Sequence, residues 1–179
     1  MKMTTSLNKV MPEVSPSTLA VIGFHEGKSY WTKVMEMEEA DDFETDWNAQ
    51  QVMDHTCKGF GISLKGLLEG TRMLSGISYK PPIAIDRFSG MYFFPLESPS
   101  KKSCSWIAHS HVLEIDKADT YYTRIVFKNG RELLLNVSYA SLLNQLYRTA
   151  QYRYLLSNKI ESLLEHSQFV SETPWQRKK

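Results

Sequence analysis

The sequence predicts a single α+β domain. An antiparallel β-sheet with short inserted helices is followed by a C-terminal helix packed on the core. Two observations lead to this prediction. Short runs of β-branched, aromatic and aliphatic residues recur between turn signals over residues 18–137. From Ser138 onward the apolar residues instead recur every three or four positions, which is the period of a helix. The length of 179 residues fits one domain.

The folded domain is expected to span residues 18–166. Residues 1–17 carry Pro12 and Pro16 among Ser, Thr and Asn, a composition typical of a flexible lead-in. Residues 167–179 contain one further proline and end in three basic residues, so we expect a loose tail there.

A β-hairpin and a short helix are predicted for the first part of the domain. Residues 18–24 and 30–35 are rich in β-forming residues and flank a turn that contains Gly27. After an acidic run, residues 47–57 are expected to form a short helix, with Asp46 as its N-cap.

The middle of the chain combines glycine-rich and proline-containing segments with two more strands. Four glycines interrupt the apolar pattern of residues 59–72, which predicts at best one short helix between loops. Pro81 and Pro82 exclude helix locally and favour extended backbone. Residues 83–85 and 91–94 are predicted strands joined by a turn.

Three further strands and a helical segment complete the prediction. Residues 106–115 and 121–127 are predicted strands. The Asn129-Gly130 pair predicts a tight hairpin turn that returns as residues 132–137. Ser138 is a suitable N-cap for one or two helices that run to the end of the domain.

The net charge of +1 hides an uneven distribution of charge along the chain. Residues 1–50 hold 4 Lys or Arg and 9 Asp or Glu, whereas residues 51–179 hold 17 and 11. Seven of the acids fall between Glu36 and Asp46. A basic face can exist on such a chain, although a solvated acidic loop on a mildly basic remainder accounts for the same numbers.

The sequence has the features of neither a membrane-spanning nor a secreted protein. No apolar run approaches the roughly 18 residues that cross a bilayer. Residues 1–9 have neither an apolar core nor a cleavage site typical of a signal peptide. Two cysteines and eight methionines suit a reducing compartment better than a disulfide scaffold. We therefore expect a cytoplasmic protein.

A zinc site and a catalytic site are the first alternatives to a binding function. On a strand, His109 and His111 would point to the same face, and Cys57 and Cys104 complete a set of four possible ligands. Their spacing matches no standard finger or ribbon, so we predict no metal. Either cysteine could act as a nucleophile beside a histidine and Asp54 or Asp86. No P-loop, Gly-x-Ser-x-Gly or His-Glu-x-x-His motif supports an enzyme, and we predict neither an enzyme nor a cofactor.

Basic residues between positions 58 and 102 form the third candidate site. They lie in or next to irregular segments, from which long cationic side chains can reach a phosphate backbone. Taken singly, each is more typical of a solubilising surface charge. Arg148 and Arg153 neighbour Tyr147 and Tyr152, and are expected instead to belong to a packing face of the C-terminal helix. The set is Lys58, Lys65, Arg72, Lys80, Arg87, Lys101 and Lys102.

Several motifs follow one another in an order that is too particular for chance. They read Lys-Pro-Pro, Phe-Phe-Pro, Trp-Ile-x-His-x-His, Asn-Gly and Gln-x-Tyr-Arg-Thr-Ala. They start at Lys80, Phe93, Trp106, Asn129 and Gln145. In these motifs, and over about residues 54–155, the chain resembles the ComK family of competence transcription factors from low-GC Gram-positive bacteria.

The resemblance implies a sequence-specific DNA-binding activator of genes for DNA uptake. It implies binding to double-stranded DNA at paired A·T-rich promoter boxes, largely through minor-groove and phosphate contacts, as a homodimer or a dimer of dimers. Minor-groove contacts distinguish A·T from G·C only coarsely, so the spacing of two boxes would add specificity. RNA polymerase is a further candidate partner, and the protein is expected to be nucleoid-associated in the cytoplasm.

Two departures from the family pattern limit what the resemblance implies. Leu67-Leu68-Glu69 stands between two glycines where better-known members carry a basic pair, so any DNA contact there is either weaker or shifted to Lys65 and Arg72. Residues 167–179 lack the aromatic-aliphatic-proline motif of members that an adaptor and a protease degrade. The alternative function is therefore a ComK-like paralogue with weakened DNA binding that acts as an oligomerising, regulatory partner.

The predicted DNA-binding residues are the basic set without Arg87, together with the two histidines of the predicted strand over residues 106–115. The residues are Lys58, Lys65, Arg72, Lys80, Lys101 and Lys102, with His109 and His111 as weaker candidates.

Overall fold

A computed structural model describes residues 11–171, with side chains described as far as residue 166. The fold is α+β with a C-terminal helix, as predicted. In chain order, the strands and helices are β1 (Thr18–Glu26), β2 (Ser29–Glu36), β3 (Phe43–Thr45), α1 (Ala49–Gly59), α2 (Leu64–Ser75), β4 (Ile83–Asp86), β5 (Met91–Pro95), β6 (Trp106–Ala108), β7 (Val112–Lys117), β8 (Thr123–Phe127), β9 (Glu132–Leu135) and α3 (Tyr139–Ser171).

The strands form two antiparallel sheets. A six-stranded sheet has the order β3-β2-β1-β6-β5-β4, and a three-stranded sheet has the order β7-β8-β9. The predicted continuous strand over residues 106–115 is wrong, because a 3₁₀ turn at His109–His111 separates β6 from β7. The Ser110 hydroxyl donates to the Gly90 carbonyl at 2.6 Å, which fixes this turn where the chain leaves one sheet for the other. His109 and His111 therefore do not share a strand face.

The six-stranded sheet is covered on both faces. On one face Val21, Phe93 and Trp106 pack against α1 and α2. On the other face their chain neighbours Phe94 and Ile107 pack against the three-stranded sheet and α3. Alternating side chains along a strand point to opposite faces, so each central strand contributes to both cores. The result is three layers: α1 and α2, then the large sheet, then the small sheet with α3.

The N-cap of the first helix lies two residues later than expected. Asn48, not Asp46, is the N-cap of α1: its side-chain oxygen accepts from the Gln51 amide at 3.0 Å. The Gln51 side chain accepts from the Asn48 amide at 3.0 Å, which completes a capping box. This reciprocal pair satisfies two amides of the first turn, which Asp46 is too far upstream to do.

The glycine-interrupted segment forms a longer helix than expected. α2 contains 12 residues, begins after the N-cap Ser63 and ends at Ser75, which is followed by the C-cap Gly76 with a φ of +71°. Gly66 and Gly70 lie inside it, and each glycine in a helix interior costs about 1 kcal/mol relative to alanine. Burial of Leu64 and Leu68 against the core offsets that cost.

The packed part of the chain starts before residue 18. Val14 is buried, and its amide donates to the Thr56 hydroxyl of α1 at 3.0 Å. The first ten residues of the predicted lead-in lie outside the described residues. At the other end, α3 continues to Ser171, and residues 172–179 of the predicted tail lie outside the described residues.

The acidic run is tied to the small sheet by a partly buried ion pair. Arg131, beside the Asn129-Gly130 turn, donates to both carboxylate oxygens of Asp42 at 2.7 and 2.8 Å. The Asn129 side chain also donates to the Met37 carbonyl at 2.7 Å. The Arg131 guanidinium holds the pKa of Asp42 below its usual range. Part of the acidic run is therefore a structural joint between the two sheets.

Candidate nucleic-acid interface

An open groove lies where α1 and α2 face the loop between β5 and β6. Its volume is about 590 Å³, and its walls combine charged, amide and hydroxyl groups with a short apolar strip. The lining residues are Gln50, Gln51, Asp54, Leu64, Lys65, Leu68, Glu69, Arg72, Ser98, Pro99 and Ser100.

Four of the predicted DNA-binding cations lie in or beside this groove. Lys65 and Arg72 belong to its α2 wall. Lys58 donates to Asp54, which lines the α1 wall, at 2.7 Å. Lys101 donates to Glu97 at 2.6 Å in the loop that forms the third wall.

Each of these lysines is exposed and paired with a nearby carboxylate. The Lys65–Glu69 pair is the widest, at 3.8 Å, and the Lys65 side chain is 86% exposed. Although burial opposes the charge of Asp54, hydrogen bonds from Lys58 and the Leu64 amide hold the pKa of Asp54 below its usual range. Exposed ion pairs contribute about 0–1 kcal/mol each, so a phosphate can exchange for such a carboxylate at small cost.

The loop between α2 and β4 brings Lys80 to the same end of the sheet. The Lys80 ammonium donates to the Leu96 carbonyl at 2.6 Å, just before the groove-lining loop. Its φ is +47°, and it is the one non-glycine residue with positive φ in the described chain. This left-handed conformation is uncommon outside glycine and persists only where the surroundings enforce it.

Side chains of α3 and α2 enforce that conformation. The Gln145 amide donates to the carbonyls of Lys80 at 3.1 Å and Pro95 at 2.8 Å. Arg148 donates to the Tyr79 carbonyl at 2.7 Å. The Thr71 hydroxyl donates to the Pro82 carbonyl at 2.7 Å. Because side chains of two helices bond its carbonyls, the backbone of the loop of residues 76–82 is held in place.

Arg148 is a functional candidate that the sequence analysis missed. It was expected on a packing face, yet its guanidinium donates to the Tyr79 carbonyl in the loop of residues 76–82. Arg72 contacts the same loop, since its Nε donates to the Ser78 carbonyl at 3.4 Å. The Gln-x-Tyr-Arg-Thr-Ala motif contains the signal, since Gln145 and Arg148 are spaced to act on one side of a helix. We call the surface formed by Lys58, Lys65, Arg72, Lys80, Lys101 and Arg148 the basic patch.

Lys102 and the two histidines lie apart from the basic patch. The Lys102 ammonium lies 5.5 Å from the centre of the Tyr30 ring on β2. The His111 ring bonds to the Pro16 carbonyl at 2.7 Å. His109 accepts from Arg153 at 2.9 Å, and burial followed by the Arg153 charge lowers the pKa of His109 to about 4. At neutral pH His109 is therefore uncharged and acts as a link between the 3₁₀ turn and α3.

The cysteines and histidines do not assemble into the zinc alternative. Among the described residues, no group of three or more His, Cys, Asp or Glu side chains is placed to hold a metal ion. Cys57 and Cys104 are both buried free thiols. Burial raises the pKa of each thiol to about 12. Such thiols are poor nucleophiles, so the arrangement does not support the cysteine-based catalytic alternative either.

In the part of the chain that the structure describes, no helix combines the length and apolar character that crossing a bilayer requires.

Comparison with known proteins assigns the chain to a family. The family model described as ComK protein matches residues 9–161, which is most of the chain. The chain belongs to the ComK family. A ComK relative, the competence transcription factor of Bacillus subtilis (strain 168), is 34% identical over 149 residues, which cover 83% of this chain and 77% of the relative. No solved structure matches the chain.

Within this ComK family member, the shared motifs have structural roles that the structure makes explicit. The Lys-Pro-Pro and Gln-x-Tyr-Arg motifs meet at the hydrogen bond from Gln145 to the Lys80 carbonyl. In the Trp-Ile-x-His-x-His motif, Trp106 and Ile107 enter opposite cores. The Asn-Gly motif forms the turn that contacts the acidic run, with Gly130 at φ +85°. The motifs therefore specify the scaffold that presents the basic patch.

Proposed function

We propose that this chain is a competence transcription factor that binds double-stranded DNA through the basic patch. The observation that carries the proposal is the convergence of Lys58, Lys65, Arg72 and Lys101 around one groove. These residues come from two helices and a distant loop, so the fold, not the local sequence, collects them. Family membership supplies the class of function, and the patch supplies the surface.

Phosphate contact is the role that suits the exposed lysines of the patch. Such a contact needs positive charge and reach, and it releases counterions from the DNA. The patch has six cations, against the carboxylates of Asp54, Glu69 and Glu97 with which three of its lysines pair. Lys102 remains a proposed contact from the same loop as Lys101. For His109 and His111 we propose supporting roles, because both rings are already hydrogen-bonded within the fold.

The proposed target is a pair of A·T-rich promoter boxes bound largely through the minor groove. The cations of the patch come from helix sides and loops, and narrow A·T minor grooves attract such Lys and Arg side chains. Two boxes imply two bound copies, so we propose a homodimer or a dimer of dimers on DNA. Contact with RNA polymerase and a nucleoid-associated, cytoplasmic location belong to the same proposal.

A second function follows from Glu69. It belongs to the Leu67-Leu68-Glu69 segment, where the family pattern has a basic pair, and lies 3.8 Å from Lys65, where it lowers the charge of the groove wall. Under this alternative the chain keeps the fold, binds DNA weakly and acts by associating with an active paralogue. Tight, specific binding by the purified chain alone would exclude the alternative.

The test of the proposed interface is a salt titration of DNA binding with matched variants. Arg72→Ala and Lys65→Ala should each weaken binding to every duplex and reduce the slope of log K against log salt by about 0.9, the value for one phosphate contact. Lys117→Ala is the control, since Lys117 is exposed on β7, on the opposite side of the large sheet. Slopes that match the unmodified chain in both patch variants would remove the groove from the interface.

A further inference from the structure

An exposed tyrosine lies in the loop of residues 76–82, which contributes Lys80 to the basic patch. The Tyr79 side chain is 66% exposed, at the tip of the loop of residues 76–82. On either side of it, the backbone carbonyls of Ser78, Tyr79 and Lys80 accept from Arg72, Arg148 and Gln145. Single exposed aromatic residues are common on protein surfaces, and what distinguishes Tyr79 is a backbone held by side-chain donors at three successive residues.

The surroundings of the ring are cationic. The Lys80 ammonium lies 5.2 Å from the centre of the Tyr79 ring. Tyr79 also lies within electrostatic range of Lys101. Arg148 reaches the Tyr79 carbonyl itself. The ring is therefore positioned where the phosphates on either side of a groove would be neutralised.

We propose that the Tyr79 ring enters the minor groove of an A·T box and reads it by direct contact with its floor. This inference rests on the proposed function. A B-DNA minor groove is about 6 Å wide, which admits a single ring, whereas the 12 Å major groove is filled by a whole helix or ribbon. A G·C pair projects the guanine amino group from the floor of the minor groove, and an A·T pair does not.

The rigid loop is what makes this contact selective. A ring on a mobile loop could move away from the guanine amino group, but a ring on a fixed backbone clashes with it. A tyrosine on a rigid backbone also loses little conformational freedom on binding, since it has two side-chain torsions. The cations of the patch would then set the overall affinity, and Tyr79 would set the preference for A·T.

The test compares three variants on three duplexes at several salt concentrations. The variants are Tyr79→Ala, Tyr79→Phe and Tyr154→Ala; Tyr154 is a control with the same 66% exposure on α3. The duplexes carry A·T boxes, the same boxes with G·C pairs, and the same boxes with inosine·C pairs, which lack the guanine amino group. Thermal unfolding of each variant confirms that the fold is intact.

Tyr79→Ala should bind the A·T boxes about tenfold or more weakly, which is the size of effect that a single mismatched base pair has on specific DNA binding. It should bind the G·C duplex as the unmodified chain does, with an unchanged salt slope. Tyr79→Phe and Tyr154→Ala should retain the A·T preference, and inosine·C boxes should be bound like A·T boxes by the unmodified chain.

Three results would overturn the inference. Equal losses on A·T and G·C duplexes with a lower salt slope would mean that Tyr79 only arranges the cations. A Tyr79→Phe loss as large as that of Tyr79→Ala would assign the contact to the hydroxyl. Unchanged binding by Tyr79→Ala would mean that the ring does not touch DNA. If the unmodified chain shows no A·T preference at all, the proposed function fails first, and the inference fails with it.

Discussion

The Arg131–Asp42 pair shows how one residue joins distant parts of the chain. Both side chains are largely buried, with 17% and 11% of their surface exposed. Arg131→Met should lower the free energy of unfolding by about 2–3 kcal/mol, because it leaves the Asp42 carboxylate without its charged hydrogen bonds. Chemical denaturation measures this loss. Arg124→Met is the control: Arg124 pairs with Asp116 and Glu132 at 43% exposure, so its replacement should lower the free energy of unfolding far less.

Arg131 lowers the pKa of Asp42 in the folded state. The difference in free energy of unfolding between the unmodified chain and Arg131→Met should therefore depend on pH. A carboxyl group whose pKa is lower in the folded state stabilises the fold at pH values above its pKa in the unfolded state. This stabilisation is lost as the pH falls through its pKa in the folded state. The gap between the unmodified chain and Arg131→Met should therefore be constant near neutral pH and close in acid. A gap that widens as the pH falls would contradict the role given to Asp42.

The two thiols give a second test at the residue scale. Cys57 and Cys104 are buried, and burial raises the pKa of each to about 12. A disulfide reagent at pH 8 should modify them at least about a hundredfold more slowly in the native chain than in urea. Rapid modification of either thiol in the native chain would contradict this and would reopen a reactive role.

Replacement of a glycine by alanine should have opposite effects on stability in α2 and in β1. In α2, a Cβ added at Gly70 would have no neighbour within 4 Å. Gly70→Ala should therefore raise the free energy of unfolding by about 0.5–1 kcal/mol. In β1, a Cβ added at Gly23 would lie 2.5 Å from the Ser103 carbonyl oxygen, so Gly23→Ala should destabilise the chain. Thermal and chemical denaturation of the pair measure both effects. Destabilisation by Gly70→Ala would show that α2 packs differently.

The loop of residues 76–82 depends on α3 for its conformation. Gln145→Met removes the amide that bonds the Lys80 and Pro95 carbonyls, which should cost about 1–3 kcal/mol and speed amide hydrogen exchange across the loop. The same change should weaken DNA binding under the proposed function. Gln151→Met, at an exposed position of α3, is the matched control. Equal exchange rates in the two variants would show that Gln145 does not hold the loop.

At the scale of elements, the sequence was most informative where local signals and packing agree. The Gly27 and Asn129-Gly130 turns were predicted, because both need backbone with positive φ, and both glycines have it. The cap of α1 was misplaced by two residues, because Asp46 and Asn48 have the same local preference and only the reciprocal bond with Gln51 distinguishes them. The break at His109–His111 left no local signal, since it is fixed by the tertiary bond from Ser110 to Gly90.

At the scale of the whole molecule, the candidate site could be predicted in composition but not in geometry. The basic residues were recognised individually, yet their convergence depends on α2 packing beside α1 and on the β5–β6 loop closing the groove. Lys102 lies in that loop and still faces Tyr30, a difference of direction that no sequence pattern shows. Arg148 was assigned to a packing face from its neighbouring tyrosines. Its actual partner, the Tyr79 carbonyl, lies 69 residues away along the chain, so no local pattern shows the contact.

Under the proposed function, the basic patch makes this ComK family member a specific DNA-binding protein. The most direct measurement is the affinity of the purified chain for a duplex with two A·T boxes and for a G·C-rich duplex of equal length, as a function of salt. We expect a preference for the boxes of about a thousandfold or more, typical of specific DNA binders, with a steep decline of affinity as salt increases. Equal, weak binding to both duplexes would contradict the claim and favour the regulatory paralogue.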